Sequence, residues 1–155
     1  MFSGLMQART GRPLTISVTR STADLPDGNN AGQRPDIVPG VSPIPSDQNL
    51  DHWLNIEAFA VPARGTWGNL GRNTLRGPGL FQVDFALQRR FPFGGDRNFE
   101  FRLEAFNAFN HANLANPNTN ISAGPASFGR ITGPLNLGYG TGTARQMQFM
   151  LRANF

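Results

Sequence analysis

The chain has 155 residues, enough for one domain, and only 15% of them are charged. It contains no Cys, which excludes disulfides, thiolate nucleophiles and Cys-ligated metal centres. The formal net charge is +4, but all 14 basic residues are Arg, and apart from one adjacent pair they are dispersed along the chain. We therefore do not expect nucleic acid as a partner.

Helices are not favoured anywhere in the sequence. The longest uninterrupted apolar run is Ala58–Val61, far too short for a membrane-spanning helix. Residues Met1–Arg9 have neither a charged leader nor a long apolar stretch, so we expect no signal peptide there. The 18 Gly and 12 Pro residues interrupt nearly every window that could hold a helix. Apolar residues instead recur at every second position, which predicts strands with two different faces.

The first predicted strand spans residues 13–18, where Leu14, Ile16 and Val18 share one face. Residues 2–9 either extend this strand or form its neighbour. A long segment rich in Gly, Pro, Asn, Ser and Thr follows, from Thr19 to Gly77. Structureless loops of this length are uncommon in compact domains, so they indicate a functional role or an unusual architecture.

Two further strands are predicted at residues 79–90 and 98–109, and the short turn Phe91–Arg97 joins them. Their apolar faces consist of Phe81, Val83, Phe85 and Leu87 in one strand and Phe99, Phe101 and Leu103 in the other. The opposite faces carry Gln82 and Asp84 in the first, and Glu100, Arg102 and Glu104 in the second. The alternation breaks at Phe106.

The last strand is predicted at residues 143–155, after a second long polar segment that spans residues 110–142. Its apolar face consists of Met147, Phe149, Leu151, Ala153 and Phe155. Met150 is the one apolar residue on its polar face. The predicted fold is therefore all-β, an antiparallel meander with very unequal connections.

Such two-faced strands suit either a soluble sandwich or a barrel that spans lipid. The strands are long enough to cross a bilayer at a tilt, and Phe91, Phe93 and Phe99 crowd the short turn as an interfacial girdle does. Outer-membrane barrels also alternate short periplasmic turns with long extracellular loops. We interpret Asp84, Glu100, Arg102 and Glu104 as lumen-facing. The residues interpreted as lipid-facing are Phe81, Val83, Phe85, Leu87, Phe99, Phe101 and Leu103.

Glu100, Arg102 and Glu104 are spaced along one strand face, where paired carboxylates are candidates for acid–base chemistry. Arg102 between the two acids would hold both ionised. We therefore expect a structural row of salt bridges, shared with Asp84 of the neighbouring strand, and no enzymatic activity.

The final strand, with its terminal Phe155, resembles the assembly signal of bacterial outer-membrane barrels. The signal set is Met147, Phe149, Leu151, Ala153 and Phe155. More widely, the chain is similar to the C-terminal part of the Oar-like β-barrel of TonB-dependent transporters. The segments that carry this resemblance are Arg34–Gly40, Trp53–Asn55, Ala58–Pro62, Gly68–Asn73, Arg76–Gly79, Val83–Asp84, Phe101–His111, Phe128–Ile131 and Arg145–Phe149.

The resemblance implies that residues 1–155 are a C-terminal piece of a barrel in the outer membrane, taking part in transport of a bulky ligand. Such transporters also have a signal peptide, a plug and a TonB box, and a barrel of roughly 22 strands. The implied partners are outer-membrane lipid and the barrel-assembly machinery. The TonB complex would be contacted only through an N-terminal part that these residues lack. No cofactor is implied.

An alternative interpretation is a secreted carbohydrate-binding or adhesive β-sandwich, in which Trp53, Trp67 and Tyr139 stack on sugar rings. A metal site is not expected, because neither His52 nor His111 has a second ligand at metal-binding spacing.

Overall fold

The computed structural model describes residues 1–136 and 141–155, which divide into two compact units. In chain order the strands are β1 (Phe2–Arg9), β2 (Pro13–Leu14), β3 (Asp36–Ile37), β4 (Phe59–Ala60), β5 (Leu75–Arg76), β6 (Leu80–Gly94), β7 (Arg97–Phe106) and β8 (Gln146–Asn154). Short 3-10 helices span Thr22–Asp24, Ile56–Ala58 and Ile121–Ala123. Among the described residues, no helix has the length and apolar character that a membrane crossing requires.

The first unit holds the four long strands and comprises Met1–Thr10, Pro78–Leu114 and Pro134–Phe155. They form one sheet in the order β1-β6-β7-β8, and each pairing is antiparallel. This arrangement confirms the all-β antiparallel prediction. Within the described residues the sheet is open, because β1 and β8 each pair on one side only. An open edge presents unpaired N–H and C=O groups, so both edges can accept a further strand.

The turn between β6 and β7 is tighter than the predicted segment Phe91–Arg97. Pairing continues to Gly94 opposite Arg97, which leaves only two residues in the turn. Gly94 and Gly95 have φ of 126° and 56°, values that glycine adopts without steric cost. Strand β6 therefore has 15 residues and is about 50 Å long.

The opposite end of β7 lies at Phe106, three residues before the predicted end. Asn107 follows with φ of 49° and a side chain that is fully buried. Its Nδ2 donates to the carbonyls of His111 and Thr143, at 2.9 and 2.8 Å, and its Oδ1 accepts from the backbone N–H of His111. The left-handed backbone and these bonds turn the chain away from the sheet, which explains the break in alternation.

The predicted barrel strand at residues 13–18 is wrong. The strand that pairs with β6 is β1, with Phe2 opposite Leu87 and Arg9 opposite Leu80. Of residues 13–18, only Pro13–Leu14 form a strand, and that strand pairs with β5 in the second unit. Alternation there has another cause, since one side of an extended segment packs in a core.

The second unit, Gly11–Gly77 and Ala115–Gly133, contains most of the two segments predicted as long loops. They are compact. The core residues are Leu14, Ile16, Val18, Leu54, Ala58, Phe59, Leu70, Ile121 and Phe128. Arg20 is 7% exposed and donates to the carbonyls of Asp24, Ala63 and Thr66, so its burial is balanced by three charge-assisted hydrogen bonds.

Candidate functional site

One face of the four-stranded sheet is apolar along all four strands. Across β6, β7 and β8, the register places Leu87, Leu103 and Phe149 in one row. All the residues predicted as lipid-facing lie on this face, namely Phe81, Val83, Phe85, Leu87, Phe99, Phe101 and Leu103. Strand β1 adds Phe2, Met6 and Ala8, and β8 adds Met147, Phe149, Leu151 and Ala153 of the predicted assembly signal.

In β6 and β7 the polar face holds buried side chains, although it would face water in a soluble sheet, whereas in β8 both faces are exposed. On the apolar face, Phe149 is 67% exposed and Leu151 is 73% exposed. On the opposite face, Gln82 is 1% exposed and Glu100 is 9% exposed. A soluble antiparallel sheet buries its apolar face against a core and hydrates the other face. An apolar outer surface with a polar inner face is the pattern of barrels that span lipid.

Glu100 is the centre of the hydrogen bonds on the polar face. Its Oε1 accepts from Gln88 Nε2 at 2.6 Å, and its Oε2 lies 3.4 Å from Arg90 NH2. Arg102 instead pairs with Glu104. The single row of salt bridges expected from the sequence is therefore two separate pairs, because the side chain of Arg102 reaches one acid and β6 supplies the partners of the other.

Asp84 does not belong to these charge pairs, contrary to the sequence-based expectation. Its Oδ1 accepts from Gln82 Nε2 and from the backbone N–H of Asn107, both at 2.8 Å. Gln82 Oε1 accepts from the backbone N–H of Gly142 at 2.8 Å. These contacts join β6 to the chain segments at the end of the sheet opposite the tight turn, so we call Gln82, Asp84 and Asn107 the end cluster.

Sequence reasoning missed the structural importance of Gln82, Asn107 and Asn113. Asn113 is 2% exposed, and its Oδ1 accepts from the backbone N–H of Phe81 at 2.9 Å. The sequence does contain a pattern that points to the two Asn residues. Directly after β7, every third residue is an Asn, namely Asn107, Asn110 and Asn113. Asn tolerates the left-handed region and bonds to local backbone, so such a run predicts a tightly bonded strand exit.

Aromatic rings gather at the end of the sheet that carries the tight turn. The ring of Phe93 stacks on Phe99 with centroids 4.7 Å apart and meets Phe155 edge-on at 6.1 Å. The Arg89 guanidinium carbon lies 5.4 Å from the centroid of the Phe91 ring. We call Phe91, Phe93, Phe99 and Phe155 the aromatic girdle, since aromatic rings of this kind border the apolar band of membrane barrels.

The remaining candidate residues lie apart from this sheet surface or contribute no chemistry to it. His52 Nδ1 contacts Asp47 at 3.2 Å, and the ring of His111 packs edge-on against Phe81. Within residues 1–136 and 141–155, no three His, Cys, Asp or Glu side chains are grouped as metal ligands. Trp53 packs against the core of the second unit and Trp67 is exposed, whereas Tyr139 lies outside the described residues.

Comparison with known proteins gives one result. The family described as "Outer membrane beta barrel domain" matches residues 1–148, nearly the whole chain. No curated protein and no solved structure matches the chain.

Proposed function

This chain belongs to the outer-membrane β-barrel domain family and lies in the outer membrane, and on that basis we propose that it forms part of the wall of a TonB-dependent transporter. The observation that carries the proposal is the sheet surface, where large apolar side chains such as Phe149 and Leu151 are exposed while Gln82 and Glu100 are buried. A soluble β-sandwich would bury that apolar face, so the family match and the exposure together favour the barrel over the carbohydrate-binding alternative.

In this proposal the apolar face of β1, β6, β7 and β8 contacts the acyl chains. Asp84, Glu100, Arg102 and Glu104 face the lumen, where water and neighbouring side chains satisfy them. The open edges at β1 and β8 pair with further barrel strands, because unpaired backbone groups in lipid cost several kcal/mol each. The chain contributes structure and loops to transport of a bulky ligand, and no catalysis.

The TonB-dependent assignment is supported by the sequence resemblance described above. The proposed contact with the TonB complex is made by a part of the protein outside these residues. The barrel-assembly machinery is the second proposed partner, which would recognise Met147, Phe149, Leu151, Ala153 and Phe155 on β8. Four of these residues lie on the apolar face, and Phe155 reaches the aromatic girdle.

The direct test is retention by TonB. The whole protein that contains this chain, extracted from outer membranes in detergent, is passed over the immobilised periplasmic domain of TonB from the same cells. We expect it to be retained, while a porin from the same membranes passes through as the control. Recovery of the protein in the flow-through, together with the porin, would contradict TonB dependence and leave the barrel assignment unchanged.

Orientation gives a second prediction, because both long connections leave the sheet at the end opposite the turn Gly95–Asp96. Short turns of these barrels are periplasmic and long ones are extracellular. Val61→Cys should therefore react with an impermeant maleimide on intact cells, and Asp96→Cys should react only after the outer membrane is opened. Residues 1–155 contain no Cys, so they add no background to the labelling. Labelling of Asp96→Cys alone on intact cells would invert the topology.

A further inference from the structure

Arg89 is the one charged residue within the apolar face between the two ends of the described sheet. It lies opposite Phe101 in the register, and Leu87 and Phe91 precede and follow it on the same face of β6. Its side chain is exposed, and no acid pairs with it among the described residues. The adjacent Arg90 is on the polar face, where Glu100 neutralises it. An unpaired guanidinium on a lipid-facing surface needs an anion from elsewhere.

The position of Arg89 along the strand makes a membrane interface the relevant environment. It precedes Phe91 by two residues, or about 7 Å along the strand, and Phe91 pairs with Phe99 in the aromatic girdle. Its guanidinium carbon lies 5.4 Å from the Phe91 ring centroid, so the side chain extends along the surface towards the girdle. Long cationic side chains reach the interface in this way while their aliphatic stems stay in the apolar layer.

We propose that Arg89 and Phe91 form a binding site for the phosphate of a phospholipid in the leaflet on the side of the tight turn. A guanidinium donates several hydrogen bonds in one plane and matches phosphate oxygens in a bidentate manner. The guanidinium lies over the ring of Phe91, and the Arg89 side chain is exposed, so a phosphate can approach its N–H groups. This site requires an outer-membrane barrel but does not depend on TonB.

The test counts bound lipids by native mass spectrometry on the whole protein in detergent. The probes are dioleoyl phosphatidylglycerol and dioleoylglycerol, which has the same acyl chains and no phosphate. We expect the unmodified protein to retain the phospholipid at least fivefold more than dioleoylglycerol. In Arg89→Gln the ratio of retained phospholipid to retained dioleoylglycerol should fall to about one. Arg90→Gln, whose substitution lies on the polar face, should have the same ratio as the unmodified protein.

Arg89→Lys separates the geometry from the charge, since an ammonium lacks the planar fork of donors. We expect it to bind phosphatidylglycerol more weakly than the unmodified protein and better than Arg89→Gln. Heat-modifiable mobility verifies that each variant is folded. Equal retention of the two probes by the unmodified protein would overturn the proposal, and this measurement requires no variant. An unchanged preference for the phospholipid in Arg89→Gln would also overturn it.

Discussion

Replacing Phe85 by Arg is expected to lower the free energy of unfolding of the whole barrel by about 2–4 kcal/mol, as Arg does on the lipid face of such barrels near mid-bilayer. Phe85 is the sixth of the 15 residues of β6, lies opposite Ala105 of β7 and Gly4 of β1, and its ring stacks on Phe2. An Arg at this depth lies far from either interface. Urea titration of the protein in phospholipid vesicles measures the change.

Ala86→Arg is the matched control for Phe85→Arg. Ala86 is the next residue along β6, lies on the polar face and pairs opposite Glu104, so an Arg there meets an opposite charge. We expect its effect to stay below about 1 kcal/mol. Asp84 is less suitable, because its carboxylate accepts from the backbone of Asn107. Equal losses for Phe85→Arg and Ala86→Arg would argue that the apolar face is an ordinary soluble core.

Asn107→Ala is expected to destabilise the sheet by about 3 kcal/mol, because it removes three hydrogen bonds made by a fully buried side chain, each worth about 1 kcal/mol. The Asn107 side chain bonds to the carbonyls of His111 and Thr143 and to the N–H of His111. The backbone φ of 49° adds strain for any residue with a Cβ other than Asn or Asp. Equilibrium unfolding and hydrogen exchange of residues 107–111 would measure both effects.

Two comparisons identify the cause of that loss. Asn110 has a similar φ of 53°, is exposed and accepts a single bond from the backbone of Arg145, so Asn110→Ala should cost about 1 kcal/mol. Asn107→Gly restores the left-handed backbone but not the hydrogen bonds, and should recover only the smaller part of the loss. Full recovery by Gly would show that backbone strain, and not the bonds of the end cluster, determines the strand exit.

The strands β6, β7 and β8 could be predicted to within a few residues, whereas β1 could not be assigned. Alternation along Leu80–Gln88 is regular because each face meets a different environment. In β1 the pattern is interrupted by Gly4 and by Leu5, which falls on the polar face opposite Asp84. Alternating apolar residues indicate that one side of an extended segment is buried. They do not indicate which strand pairs with that segment. The alternation at residues 13–18 therefore does not identify a barrel strand.

The two surfaces of the sheet could also be predicted, but the contacts on them could not. Register places the residues predicted as lipid-facing in β6 and β7 on one face, since side chains alternate strictly with position. Arg102 contacts Glu104 and not Glu100, because Gln88 and Arg90 of β6 already bind Glu100. The sequence does not reveal this choice between the two acids. The role of Asn107 depends on backbone groups from residues far along the chain, and sequence spacing does not reveal those.

A spin-label scan along β8 tests the central claim, that the exposed apolar face of this sheet contacts lipid. Single Cys variants from Gln146 to Ala153 are labelled in the vesicle-embedded protein, and collision rates with oxygen and with a water-soluble nickel chelate are measured. We expect oxygen contact to peak at Met147, Phe149, Leu151 and Ala153, and nickel contact to peak at Gln146, Gln148 and Arg152. Met150, opposite Arg102, should follow the polar set. A scan without alternation, or one with the two sets exchanged, would contradict the account.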